Sequence, residues 1–168
     1  MAGKSLVHGI DGRQFAPDRM TTRAEFTVLI ARALDLADPP SSVQFSDVPG
    51  TKWFTKAIGA AGEAGLITGY PNGTFQPDAL ITREQMAVLI VRAAAFAGRK
   101  PAAAKNALDQ FIDSSSVSPW AADSVNEAVA AGFVQGLNQD RIAAKDAGMR
   151  AQAAVMIKRL LVYVNLID

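Results

Sequence analysis

The chain has 168 residues, 49% of them hydrophobic, and 17 basic side chains against 16 acidic ones give a formal charge of +1. Such a content is too apolar for wholesale disorder, and the balanced charge leaves no electrostatic footprint for nucleic acid or an anionic bilayer. Zero cysteines exclude a disulfide framework, a thiolate metal site and a cysteine nucleophile, and the single histidine, His8, excludes a histidine-rich metal cluster. No apolar run is long enough to span a membrane, so no membrane insertion is expected, and any export signal is expected outside this sequence.

Along the chain, Gly9 opens the first of three stretches with one internal spacing, and Gly69 and Gly136 open the others. In each, an apolar residue follows six positions later (Phe15, Phe75, Ile142) and an arginine fourteen later (Arg23, Arg83, Arg150). Behind each arginine runs an amphipathic-helix stripe: Phe26, Leu29, Ile30 and Ala33 match Met86, Leu89, Ile90 and Ala93, then Ala153, Met156, Ile157 and Leu160. The chain reads as an all-α helical repeat with short loop and hairpin insertions.

Residues 1–40 form the second half of a first unit. Leu6 and Val7 align with Leu66 and Ile67, the end of a helical segment, so the body of that helix is absent here. Asp11-Gly12 and Pro17 then punctuate a loop in which Phe15 points inward. Thr22 and Glu25 make a capping box at the next helix start. Pro39, Pro40, Ser41 and Ser42 read as a linker.

Residues 41–100 form the complete unit. Phe45-Ser46-Asp47-Val48 opens it as a turn, and Trp53 leads into a helix whose stripe (Ala57, Ile58, Ala61, Ala64, Gly65) is small enough to be placed innermost in the fold. Gly65 fits either close helix packing or an approaching helix end. The loop Gly69 to Leu80 follows, with a hairpin-like turn at Asn72-Gly73, and Thr82 with Gln85 repeats the capping box. Residues 101–168 form a divergent third unit. Phe111-Ile112-Asp113 matches the earlier opening, Ser118-Pro119-Trp120 supplies an N-cap, an N1 proline and the same tryptophan, and Trp53 and Trp120 each precede their arginine by thirty positions. Its loop departs, with Ala144 for proline, Lys145 for aspartate and Met149 for the capping threonine.

Each copy places an arginine in the first turn of a helix, the electrostatically poor end for a cation, at a cost of a few tenths to about 1 kcal/mol. One account is a carboxylate ligand gripped by both the guanidinium and the free helix N–H groups. The other is an internal ion pair from the arginine to Asp47, Asp113 or Glu84 that locks adjacent units together. Trp53 and Trp120 read first as core anchors and secondly as platforms for a sugar ring. Asp47 and Asp113 read first as ties of their turns. No catalytic arrangement and no calcium loop stands out, no cofactor is called for, and the chain is not read as an enzyme.

The Phe-x-Asp-Val start, the tryptophan, the Ala-Ile-x-x-Ala-x-x-x-Gly-Leu-Ile helix, the GYPNGTFQPD loop and the ITRE helix start together resemble the S-layer homology (SLH) module over nearly the whole chain. That resemblance implies a pseudo-threefold spindle around a central bundle with one helix from each unit. It also implies non-covalent anchoring at the bacterial cell wall through grooves that bind an acidic, pyruvylated secondary polysaccharide. The residues implicated are Arg23, Arg83 and Arg150 with Thr22, Thr82, Gly9, Gly69, Asp47, Trp53 and Trp120. The alternative is a helical scaffold for protein assembly. If one innermost helix of about four apolar side chains is lacking, on the order of 6 to 12 kcal/mol of burial is lost. The exposed face is then expected to be covered by self-association, by a complementing segment in trans, or by repacking.

Overall fold

A computed structural model describes residues 16–36, 44–138 and 140–167. Gly9, Phe15, His8 and the Pro39–Ser42 linker lie outside the described residues. The elements are α1 (Arg23–Ala33), α2 (Thr55–Glu63), α3 (Arg83–Phe96), α4 (Ala122–Ala130) and α5 (Arg150–Tyr163), with a 3-10 turn at Ser114–Ser116. Among the described residues there is no strand, only isolated bridges, and the fold is all-α.

The three helices that begin at an arginine pack against one another, while α2 packs on α1 and α4 on α3. The expectation that the small-residue helix lies innermost is therefore overturned. The reason is compositional: α3 buries residues on every side, among them Met86, Val88, Leu89, Ile90, Val91 and Ala94, and a helix apolar all round must be enclosed. By contrast, α2 exposes Lys56 and Glu63 and buries one side, at Ile58, Gly59, Ala60 and Ala61.

At the base of this trio the extended residues before each helix close a triangle of backbone bonds. Thr21 N–H donates to Gly148 O (2.8 Å), Ile81 N–H to Thr21 O (3.0 Å) and Gly148 N–H to Ile81 O (2.8 Å). The three units thus meet around a pseudo-threefold axis. Its packing is unequal: Ile81 is fully buried, and the thioether of Met86 occupies the space a side chain at Gly148 would need.

Helix ends follow their residues. The capping boxes hold, with Thr22 Oγ1 accepting from Glu25 N–H at 3.2 Å and Thr82 Oγ1 from Gln85 N–H at 3.3 Å, and Glu25 and Gln85 returning the contact at 2.9 and 3.0 Å. At Met149 the Gln152 carbonyl keeps its half of the box, accepting from Met149 N–H at 3.0 Å. Gly65 and Gly132 take φ of 70° and 76°, and the N–H groups of Leu66 and Phe133 bond back to Ala61 O and Ala128 O. These are Schellman ends. Nothing lies within 4 Å of a Cβ built at either glycine, which settles Gly65 as a helix end and not a packing contact.

The two tryptophans are not core anchors. Trp53 is 63% exposed and Trp120 62%, because helix α2 begins only at Thr55 and α4 only at Ala122, so each tryptophan sits in the preceding turn and is not carried onto the apolar face. Phe54 is buried in place of Trp53. Ser118 likewise does not cap α4, since its N–H and hydroxyl are engaged elsewhere. Truncating Phe26, which has no exposed surface, to Ala is expected to cost about 3–5 kcal/mol in urea unfolding. Trp53→Ala is expected to stay within about 0.5 kcal/mol of the parent.

Candidate functional site

Helix starts determine what each arginine can reach. In α1 the first N–H, of Arg23, donates to Ala79 O at 2.9 Å and the second, of Ala24, to Pro77 O at 3.0 Å. In α3 those of Arg83 and Glu84 go to Asp146 O and Ala144 O, and in α5 those of Arg150 and Ala151 go to Arg19 O and Pro17 O. The third N–H of α1 and of α3 is taken by the cap threonine. A carboxylate gripped by free helix N–H groups is thus overturned: the loop of another unit closes each helix end.

The guanidinium groups of Arg23 and Arg83 face the same loops. Arg23 Nε donates to Phe75 O at 2.9 Å, and the planar group lies 4.9 Å from the Tyr70 ring centroid and 4.7 Å from that of Phe75. Arg83 Nε donates to Ile142 O at 3.0 Å and a terminal nitrogen to Gln135 O at 2.7 Å. For Arg23 and Arg83 the internal ion pair is therefore corrected as well, since backbone carbonyls and not carboxylates receive them. Burial lowers the pKa of both from the usual arginine value, against upward pulls from Tyr70 and Asp47 on Arg23 and from Asp146 and Asp113 on Arg83. Both stay charged.

Asp47 and Asp113 hold these loops from the other side. Asp47 accepts from the N–H groups of Phe75 (2.8 Å) and Gln76 (2.7 Å), and Asp113 from those of Ile142 (2.8 Å) and Ala143 (2.9 Å). Gln76 and Ala143 are left-handed, with φ of 58° and 51°, a conformation that costs about 1–2 kcal/mol without glycine and that the bidentate carboxylate offsets. One peptide group therefore gives its oxygen to the arginine of one unit and its N–H to the aspartate of the next. Gly69 packs under the Phe45 ring, where a Cβ would also lie 2.8 Å from Thr74 O.

The Arg23 and Arg83 sites differ. Arg23 is half-buried, and its terminal nitrogens have no hydrogen-bond partner among the described residues. Arg83 is 6% exposed and commits two nitrogens to carbonyls. Next to it Glu84, 4% exposed, accepts from Ser118 N–H and Oγ (both 2.9 Å) and pairs with Lys145 Nζ at 2.8 Å. Glu84 stands where the other copies have Ala24 and Ala151, and Lys145 where they have Asp78 and Asp18. The two departures are one compensated change across a junction, and each copy's mismatch with its siblings was the signal that could have found it. Arg150 stands at the corresponding start of α5. The tie from Glu84 to Ser118 holds the turn that carries exposed Trp120 beside the first turn of α3.

Among the described residues no group of three or more His, Cys, Asp and Glu side chains could hold a metal, and no helix is long and apolar enough to cross a membrane. The S-layer homology domain model matches residues 1–27, 44–87 and 110–154. An amylopullulanase of Thermoanaerobacterium thermosulfurigenes is 36% identical over 161 residues, covering 96% of this chain and 8% of that protein. A cellulosome-anchoring protein of Acetivibrio thermocellus is 31% identical over 160 residues, 93% of this chain and 35% of the relative. The surface-layer 125 kDa protein of Lysinibacillus sphaericus is 31% identical over 131 residues, 78% of this chain and 10% of its own length. This chain spans about a third or less of each.

Across the Glu84–Lys145 junction, a double-mutant cycle of Glu84→Ala and Lys145→Ala is expected to show coupling of about 1 kcal/mol in urea unfolding, because removing Lys145 leaves a buried carboxylate with the Ser118 donors alone and no cation. Additive losses would deny the pairing. The Asp113 carboxyl is pushed up by desolvation but held below the usual range by the N–H groups of Ile142, Ala143 and its own residue and by Arg141. Its folded pKa being the lower one, its stabilisation is complete above about pH 4 and is lost as pH falls through the folded value. Asp113→Asn should therefore flatten the acid limb of melting temperature against pH.

Proposed function

Because this chain belongs to the S-layer homology domain family, we propose that it anchors the protein carrying it non-covalently at the bacterial cell surface by binding an acidic, pyruvylated wall polysaccharide. Cell-surface attachment is the function the family and its anchoring relatives support. The acidic ligand is the finer reading, and it rests on Arg23. That guanidinium is braced through Nε and stacked on Tyr70 and Phe75, which leaves its two terminal NH2 groups for an incoming carboxylate. Exposed Trp53 sits in the turn just before α2, the helix packed on α1, and offers a face to a sugar ring. Thr22, Thr82, Asp47 and Gly69 act by shaping the helix starts and loops, and Arg150 holds the corresponding place at the start of α5. The activity in the amylopullulanase's name is a property of a protein of which this stretch is 8%, and this module is read as non-catalytic.

The scaffold reading keeps one place. With two of its nitrogens committed to carbonyls and its surface buried, Arg83 is a strut between units. Sedimentation of the protein with purified sacculi, before and after mild acid removal of the ketal, tests the proposal. Retention should fall after acid treatment, and equal retention would end the carboxylate reading. Arg23→Ala should reduce retention with a stability loss of about 1 kcal/mol. Arg83→Ala should lose about 2–4 kcal/mol of stability yet keep its glycan binding below its melting temperature.

A further inference from the structure

We infer that the Tyr70 hydroxyl is a further donor of the Arg23 site toward the acidic ligand proposed above, on which this assignment rests, and that Gln85 of the α3 capping box keeps it a donor. The orientation of one amide carries this. Gln85 Oε1 accepts from Thr82 N–H at 3.0 Å, and because a backbone N–H can only donate, the NH2 end of the side chain points the other way. That NH2 faces Tyr70 and donates to its hydroxyl oxygen at 3.4 Å. An amide NH2 accepts nothing, so the phenol is the acceptor in this contact and its own hydrogen is left over. Among the described residues that hydrogen has no acceptor. Tyr70 is half-buried, and its ring is the one that lies 4.9 Å from the Arg23 guanidinium. The hydroxyl is thus carried beside the terminal NH2 groups that Arg23 keeps uncommitted.

The other copies show what Gln85 avoids. At its place α1 has Glu25, which completes its box with one oxygen, accepting from Thr22 N–H at 2.9 Å, and gives the other to Arg19. A glutamate therefore serves the cap as glutamine does, but its second oxygen is an acceptor. Set beside Tyr70, that oxygen would draw the phenolic hydrogen to itself and away from a ligand. The loop that receives Arg83 has Leu137 one position after its opening glycine, where the loop that receives Arg23 has Tyr70. The hydroxyl is missing where the arginine is buried and holds two carbonyls, and present where the terminal groups are open.

Sedimentation with purified sacculi, untreated and acid-treated, tests this on the full chain and on Tyr70→Phe, Gln85→Glu and the two combined. Tyr70→Phe keeps the ring on Arg23 and should weaken binding to untreated sacculi about tenfold, the effect of one hydrogen bond to a charged group. Gln85→Glu keeps the capping box, so it should melt within about 2 °C of the parent and still weaken binding to a similar degree. In the Tyr70→Phe background Gln85→Glu should cost less than about twofold, because no phenolic hydrogen remains to be drawn away. An equal loss in both backgrounds would reduce Gln85→Glu to charge repulsion and overturn the role of Gln85. A parent that responds to acid treatment while Tyr70→Phe binds as the parent does would overturn the Tyr70 contact alone. A parent retained equally on both kinds of sacculi would remove the acidic ligand and this contact with it.

Discussion

Two peptide groups, Phe75–Gln76 and Ile142–Ala143, carry the joints of this fold. Each is held at both ends by charge, with its oxygen on the arginine of one unit and its N–H on the aspartate of the next. Hydrogen bonds to ionised groups are roughly twice as strong as neutral ones, and here they compensate two local penalties at once. One is the arginine at the positive end of a helix dipole; the other is a left-handed residue that is not glycine. Each costs on the order of 1 kcal/mol by itself. Together they fix the angle at which one unit meets the next, and the triangle of Thr21, Ile81 and Gly148 closes from that angle.

Repetition sets the geometry, and departures from repetition give each junction its own character. Between the first and second units Ala24 lies beneath the loop and no charge is buried beside Arg23. Between the second and third, Glu84 draws Ser118 and Lys145 into one cluster. The buried carboxylate is tolerable because the groups that contact it, the Ser118 N–H and hydroxyl and the Lys145 ammonium, are all donors. A loop with aspartate at the place of Lys145 would repel Glu84, so the pair also fixes which loop may follow α3.

Much of this was legible in the residues. Three arginines in register, two capping boxes, an Asn-Gly turn and glycines at helix ends predict where helices start and stop, because those signals act within a few residues of one another. What was not legible depends on distant partners. The stripe of small residues identified α2 as a close packer but not against what, and only the all-round apolarity of α3 decides which helix is enclosed. Trp53 and Trp120 looked like core residues because helical spacing was extended back through a turn that is not helical. The strut role of the arginines was hidden because a carbonyl acceptor is carried by every residue and leaves no mark in the sequence.

An arginine can be both a strut and a receptor because its guanidinium presents five donors in a rigid plane. Bracing through Nε costs one donor and fixes the orientation of the rest. In Arg23 the bracing comes from Phe75 O, and two aromatic rings hold the plane, so the pair of terminal nitrogens suited to a bidentate carboxylate is preorganised and still has donors to give. In Arg83 a second carbonyl, Gln135 O, takes one of those nitrogens, and the bidentate edge is broken. The same side chain in the same register is therefore left with different unengaged donors in the two copies, and under the proposed reading the length of its hydrogen-bond list, more than the identity of the residue, separates a joint from a site that can receive a ligand.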